Sequence, residues 1–172
     1  GRLSVAGTDR SVALADLARG EFEERLSVRS TAKVDGPSWP NGAHIAEVSI
    51  DPATGVLTIE RYTTLDDVGV AINPMLVRGQ IHGGIAQGVG QALFEGAVYD
   101  DGQLLTSSLM DYQVARAGDL PMFEVALFDG APCKTNPLGA KGCGESGTVA
   151  GTPTLVNAGV EALSSRGVRD VD

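Results

Sequence analysis

The residues most able to do chemistry lie in one short stretch. In Lys141-Gly142-Cys143-Gly144-Glu145-Ser146-Gly147, a lone carboxylate stands among small residues, with a thiol two positions before it and a hydroxyl directly after it. A carboxylate in such a place suits general-base work, which needs a group that is ionised yet still basic. Partial burial raises its proton affinity, and nearby backbone N–H donors lower it. Small residues running into a helix also bare backbone N–H groups that can hold an anionic ligand at the helix N-terminus. A glutamate at a helix start has a commoner use, as a cap, here for a helix expected from about Thr148. On these residues alone the cap is the favoured reading and the general base the alternative.

Several other chemistries fit less well. Gly142-Cys143-Gly144-Glu145-Ser146-Gly147 matches GxGxxG literally, but a dinucleotide fingerprint needs a strand immediately before it. The residues before it include Pro132 and Asn136-Pro137, which is loop chemistry. A phosphate loop requires Ser or Thr after its lysine, whereas Gly142 follows Lys141; a nucleophile elbow requires Gly where Thr148 stands. Cys133, Cys143, His44 and His82 show no zinc-type spacing, so no residue is assigned as a metal ligand. Two cysteines make no disulfide framework, and free thiols suit a reducing cytoplasm. Cys133 is expected to have no chemical role.

The elements that must position this loop follow from pattern. Residues 12–19 have apolar side chains at helical spacing and read as a short helix before Gly20; residues 21–31 are charged and mixed. Residues 35–42, with two prolines, form a connector. Residues 44–50 and 56–63 alternate apolar and polar side chains around the turn Asp51-Pro52-Ala53-Thr54-Gly55, which predicts an antiparallel hairpin. Residues 75–94 are apolar at helical spacing but carry five glycines. Each costs on the order of 1 kcal/mol against alanine in a helix interior, so this helix is expected to be buried and closely packed. Asp101-Gly102 is a hairpin candidate. Residues 104–114 and 122–128 read as strands, residues 130–148 as a long loop, and residues 149–165 as an amphipathic helix ended by Gly167. Strand pairs mixed with helices predict an α+β class, with mixed or antiparallel strands, a glycine-rich buried helix and a C-terminal helix.

Composition narrows the function classes. The net charge of −9 argues against nucleic-acid binding, which needs clustered cations to neutralise phosphates. No apolar run is long enough to span a bilayer, so no membrane role is expected. The 23 glycines among 172 residues are about twice the usual ~7% share, and many fall within residues 79–96 and 139–151. Glycine gathered inside apolar segments points to close backbone approach, to another helix or to a ligand.

Asn136-Pro137-Leu138-Gly139-Ala140-Lys141-Gly142-Cys143-Gly144-Glu145-Ser146-Gly147-Thr148 resembles the NPLGxKGxGExGT signature. That signature belongs to the molybdopterin-binding large subunits of the xanthine dehydrogenase, aldehyde oxidase and carbon monoxide dehydrogenase family. Pro40-Asn41-Gly42-Ala43-His44-Ile45-Ala46-Glu47-Val48, Asp67-Val68-Gly69, Asn73-Pro74, the run from Gly79 to Gly88 and Met110-Asp111-Tyr112 are similar too, in the same order. The likeness covers about residues 40–172 and is weak before that. It implies a short N-terminal segment, residues 1–40, ahead of a C-terminal portion of a larger molybdopterin-binding domain, residues 41–172.

The resemblance implies that Glu145 is the catalytic general base, acting on a water-derived oxygen activated at molybdenum and delivered to an aldehyde or an N-heterocycle. It implies that Gln80 contacts the pyranopterin and that the backbone of Gly142, Cys143 and Gly144 passes beside the molybdenum ligands. Gly83, Gly84 and Gln87 are expected to be packing residues first. Cys143 departs from the pattern, which usually has an aliphatic residue there, and is expected to act as a small hydrophobe. The implied cofactor is molybdenum-molybdopterin, plain or as its cytosine dinucleotide, with [2Fe–2S] and FAD carried on partner subunits or domains. The implied partners are the remainder of the molybdenum subunit, iron–sulfur and flavin subunits, and a small-molecule substrate. Much of such a subunit is not in this sequence, so the chain is expected to be inactive alone. A non-catalytic structural or assembly module is the alternative.

Overall fold

A computed structural model describes residues 1–19 and 28–169. Contacts divide the chain into two units, Gly1–Val34 and Asp35–Asp172. In the first, β1 (Arg2–Ser4) pairs antiparallel with β2 (Ser11–Ala13), and α1 (Leu14–Arg19) follows directly. The expected helix therefore starts two residues later than its apolar spacing indicates, because Val12 and Ala13 are taken up in pairing with Leu3 and Arg2. The expected mixed stretch at residues 21–31 lies mostly outside the described residues, as does Gly20.

The second unit holds every candidate site residue. β3 (Asn41–Ile50) and β4 (Leu57–Asp67) form the predicted antiparallel hairpin, and β7 (Phe123–Phe128) pairs with β4 in parallel, giving the order β3-β4-β7. The hairpin turns where Asp51 Oδ1 accepts from the Ala53 amide and Gly55 takes a positive φ of 76°. A register shift between Glu47 and Val48 leaves Glu60 without a partner and reverses the phase of β4. Ile59 is buried before it; Tyr62, Thr64 and Asp66 are buried after it, while Leu65 turns outward. The bulge therefore brings two polar side chains to the inner face.

Two helices cover that face. α2 (Pro74–Leu93) begins with Asn73 Oδ1 accepting from the Leu76 amide and with Pro74 in its first turn. α3 (Ser146–Leu163) ends in a 3-10 turn capped by Gly167 at φ 83°. Ile59, Tyr62, Val68, Val77, Ile81, Ile85, Val89 and Leu155 form the core between sheet and helices. Four of the five glycines of α2 divide into two kinds, and the fifth, Gly90, faces the Glu95 side chain. Side chains added at Gly84 and Gly88 would meet the backbone of Gly147 and Gly151 at 2.9 Å, so these four glycines let α2 and α3 touch. Gly79 and Gly83 face open space instead. Thr148 and Thr152 then donate hydroxyl hydrogen bonds to the Gly84 and Gly88 carbonyls at 3.2 and 3.1 Å. Leu155 fills the core beside this seam at 1% exposure. Leu155→Ala is expected to lower stability by about 2–5 kcal/mol, read by urea unfolding of the chain.

One expected strand is absent. Residues 104–114 contribute only Leu104, in the small hairpin of β5 (Tyr99–Asp100) and β6 (Gln103–Leu104). That hairpin turns at Asp101 and Gly102, both at positive φ, as its sequence indicates. Beyond it Ser108 captures the chain. Its hydroxyl donates to Asp111 at 2.7 Å and accepts from the Met110 amide at 3.2 Å, and its carbonyl accepts from Tyr112 at 2.8 Å. Local side-chain bonds of this kind compete with strand pairing, and Met110, 95% exposed, finds no apolar face to cover. The architecture is α+β, with an antiparallel and a parallel pair in one sheet. No helix among the described residues is long and apolar enough to cross a membrane.

Candidate functional site

The glycine loop is suspended between two anchors. Its upstream end is sewn to the end of β4. The Lys141 amide donates to the Val68 carbonyl at 2.8 Å, and the Gly139 carbonyl accepts from both Val70 at 2.9 Å and Cys133 at 2.8 Å. Asn136 Nδ2 holds the Ala140 carbonyl at 2.9 Å. Gly69, at φ 63°, packs directly on the Gly139 carbonyl where any side chain would collide. Lys141 Nζ meets Asp67 Oδ2 at 2.6 Å, with the two side chains 11% and 12% exposed, and Asp67 Oδ1 accepts from the Gly69 amide at 2.9 Å. The downstream anchor is the α2–α3 seam at Gly147. Between them Gly142 and Gly144 have no atom within 4 Å of where a side chain would stand, so their backbone is open to a ligand.

Asp67 is a part-buried acid held in its charged form. Burial pushes its carboxyl up, but the Lys141 hydrogen bond, the Gly69 amide and the Lys141 charge outweigh that and leave it below the ordinary 3.8. Because the folded value lies below the unfolded one, the stabilisation is complete above the ordinary value and is lost as pH falls through the folded value. Comparing urea unfolding of wild type and Asp67→Asn between about pH 5 and pH 2 is expected to show wild type losing its advantage at the acid end.

Glu145 occupies the N-cap position of α3, yet its side chain makes no capping hydrogen bond. It is exposed, so this chain does not supply the partial burial that a tuned base would draw on. Glu145 borders a cavity of about 310 Å³ lined also by Trp39, Gly42, His44, Asp66 and Ser146. Beneath it lies a buried polar network. His44 and Asp66 side chains are 1% and 2% exposed, with Nε2 3.3 Å from Asp66 Oδ1 and Nδ1 3.0 Å from the Tyr62 hydroxyl. Thr64 donates to the other Asp66 oxygen. A side chain at Gly42 would stand 2.8 Å from Asp66 Oδ1, so glycine there makes room for the carboxylate. Burial raises the Tyr62 phenol above its ordinary value, with the Thr154 hydroxyl opposing and the Asp66 charge adding. Among the described residues, Ser146 Oγ is buried without a hydrogen-bond partner.

Gln80 and Cys143 meet elsewhere. Both line a groove of about 210 Å³ with Val68, Asn73, Leu76 and Lys141. Gln80 is exposed on α2, and Cys143 packs against the core as a partly buried thiol. Two of the expected cofactor residues thus share one groove, while Glu145 opens on a different cavity. Gly83 and Gln87 do not line either space; Gln87 Oε1 accepts from Thr148 at 3.2 Å. The sequence reading gave no role to His44, Asp66 or the Asp67–Lys141 pair. The available signal was His44, in phase with Ala46, Val48 and Ile50 along β3; Asp66 and Asp67 had none, since β4 mixes apolar and polar side chains throughout. Cys133, outside both spaces, is held below the ordinary thiol value by the Thr135 hydroxyl at 3.1 Å. Among the described residues, no group of three or more His, Cys, Asp or Glu side chains is placed to hold a metal ion.

Comparison with known proteins decides the family. A molybdopterin cofactor-binding domain model matches residues 1–121. The chain belongs to that family. Within the molybdopterin cofactor-binding domain proteins, it is 37% identical over 97% of its length to the nicotine 6-hydroxylase large subunit of Paenarthrobacter nicotinovorans. It is 39% identical over 99% of its length to the carbon monoxide dehydrogenase large chain of Hydrogenophaga pseudoflava. The chain spans 22% of the length of each. Among solved structures, quinoline 2-oxidoreductase from Pseudomonas putida 86 superposes with a TM-score of 0.73 at 39% identity, covering 77% of this chain and 17% of that one. The relatives are oxidoreductases, and the family match ends at residue 121, ahead of the glycine loop. No strand directly precedes Gly142, since β7 ends at Phe128, so the dinucleotide fingerprint has no structural counterpart here.

Proposed function

We propose that this chain is the C-terminal part of a molybdenum hydroxylase large subunit that oxidises an aldehyde or N-heterocycle with water-derived oxygen, Glu145 being the general base. The observation that carries this is the uncommitted carboxylate of Glu145, which stands at the start of α3 beside open glycine backbone and makes no capping bond. A capping glutamate would spend its oxygens on helix amides.

The residues fit the cofactor. Gln80 and Cys143 share a groove, and Gly142 and Gly144 offer bare backbone next to it. Gln80 would hold the pyranopterin, and the backbone of Gly142, Cys143 and Gly144 would lie beside the metal's ligands. When bound, the molybdenum cofactor supplies the oxygen and accepts the substrate's electron pair. Glu145 would serve as the proton acceptor for the water-derived oxygen. The cofactor is molybdenum-molybdopterin, plain or as its cytosine dinucleotide, with [2Fe–2S] and FAD on partner subunits or domains, in a cytoplasmic complex. Residues 41–172 carry the site, and the chain does not turn over alone, because the rest of the subunit closes the pocket. Replacement of Glu145 by Gln in the complete enzyme tests the reading: loss of turnover with molybdenum retained supports it, and near-normal turnover sinks it.

A structural or assembly role is the second reading. It draws on the large apolar side chains left exposed, Leu109, Met110 and Met122 among them. It predicts that Glu145→Gln leaves turnover intact, whereas substitutions at these apolar positions break up the complex.

A further inference from the structure

Lys141 stands at the boundary between fixed and open backbone. Residues 139–141 are held to the segment just after β4 by backbone hydrogen bonds and by the Gly69–Ala140 bridge, whereas nothing stands within 4 Å of where a side chain at Gly142 or Gly144 would be. At that boundary Asn136 Nδ2 holds the Ala140 carbonyl at 2.9 Å, and Lys141 itself is tied by the 2.6 Å contact of its Nζ with Asp67 Oδ2, in a mostly buried setting. Asp67 is itself fixed, since its other oxygen accepts from Gly69 at the end of β4. Both Lys141 and Cys143 line the groove that holds Gln80. A nearly buried ion pair is weak evidence for net stability, because desolvation offsets much of the attraction. Its geometric effect is to set where a chain segment sits.

We propose that the Lys141–Asp67 pair is a positioning device: it fixes the upstream end of residues 142–144, and so where that backbone lies beside the cofactor and where Glu145 enters α3. The proposal rests on the general-base reading of Glu145. Lys141 touches no reacting atom in it and acts through the loop. Removing the ammonium frees residues 142–144 to shift by an ångström or so, and a displacement of that size costs up to ~100-fold in rate. Substrate affinity depends on the rest of the pocket and changes little.

The test uses the complete enzyme with Lys141→Met, Lys141→Arg and Asp67→Asn, reading kcat, KM, molybdenum content and amide hydrogen exchange. Lys141→Met is expected to lower kcat by about 10-fold or more with KM within ~3-fold and molybdenum retained. Exchange should quicken in peptides covering residues 139–146 and nowhere else. Lys141→Arg, which keeps a cation within reach of Asp67, should restore most of kcat. The proposal is overturned if Lys141→Met exchanges and turns over like wild type, or if exchange rises throughout the sheet and helices. Should Lys141→Met fail to accumulate, Asp67→Asn decides: it keeps an acceptor for Gly69 but loses the charge, and wild-type kcat and exchange there overturn the proposal. Normal turnover in Glu145→Gln together with localised exchange in Lys141→Met would remove the base assignment and leave the anchor standing.

Discussion

Glu145→Gln in the complete enzyme is expected to lower kcat by at least ~100-fold, with molybdenum content and melting temperature unchanged. Glutamine keeps the volume and a carbonyl acceptor of the side chain but cannot take up a proton. A positioned general base contributes roughly 10²–10⁴ in rate. The structure removes the competing explanation, because the Glu145 side chain caps no amide of α3 and is exposed. Were it a cap, its loss would cost about 1 kcal/mol of stability and leave turnover alone. Steady-state kinetics beside a thermal melt and a metal assay separate the two. A kcat within a few-fold of wild type at full molybdenum loading would rule out the base.

Gly147→Ala is expected to be among the most destabilising single-methyl changes in the chain, by about 3 kcal/mol or more. The added methyl would run into the Ile81 carbonyl and lie 2.7 Å from the Ile85 amide nitrogen, both backbone atoms of α2 that no rotamer change can move. Relief requires α3 to lift from α2, which also loosens the paired contact of Gly88 with Gly151 and the Thr148 and Thr152 hydrogen bonds. Gly142→Ala is the contrast, five residues away in the same glycine-rich stretch. Nothing stands within 4 Å of its added methyl, so its effect on stability should stay within about 0.5 kcal/mol. Denaturant unfolding of the two variants side by side checks the pair. Equal effects would mean that α2 and α3 do not meet through these glycines.

Local pattern carried a good part of the fold. The β3–β4 hairpin, the glycine-rich α2, the turn at Asp101 and Gly102 and the helix ended by Gly167 all follow from alternation, helical spacing and turn chemistry, which act over a few residues. The strand expected at residues 104–114 failed for a local reason too: the Ser108 hydroxyl and carbonyl hold Met110, Asp111 and Tyr112 in a turn. The onset of α1 failed because pairing with Arg2 and Leu3 outweighed helical spacing at Val12 and Ala13.

The site divides the same way. From residue order alone the loop around Glu145 stood out, and resemblance lifted its glutamate from a cap to a base; the presence of the helices and the turn residues needed nothing more than the chain itself, although the last helix starts at Ser146, three residues before its expected onset. The buried company of that site came from long-range pairing. A single unpaired residue, Glu60, shifts the phase of β4, so that Asp66 turns inward to His44 and Leu65 outward, against simple alternation. Likewise Asp67 and Lys141, 74 positions apart, become partners because the loop is stitched to the end of β4. Alternation and spacing register a side chain's immediate neighbours along the chain. Which buried charge meets which depends on strand register and on how loops close, and those are set by packing across the whole unit.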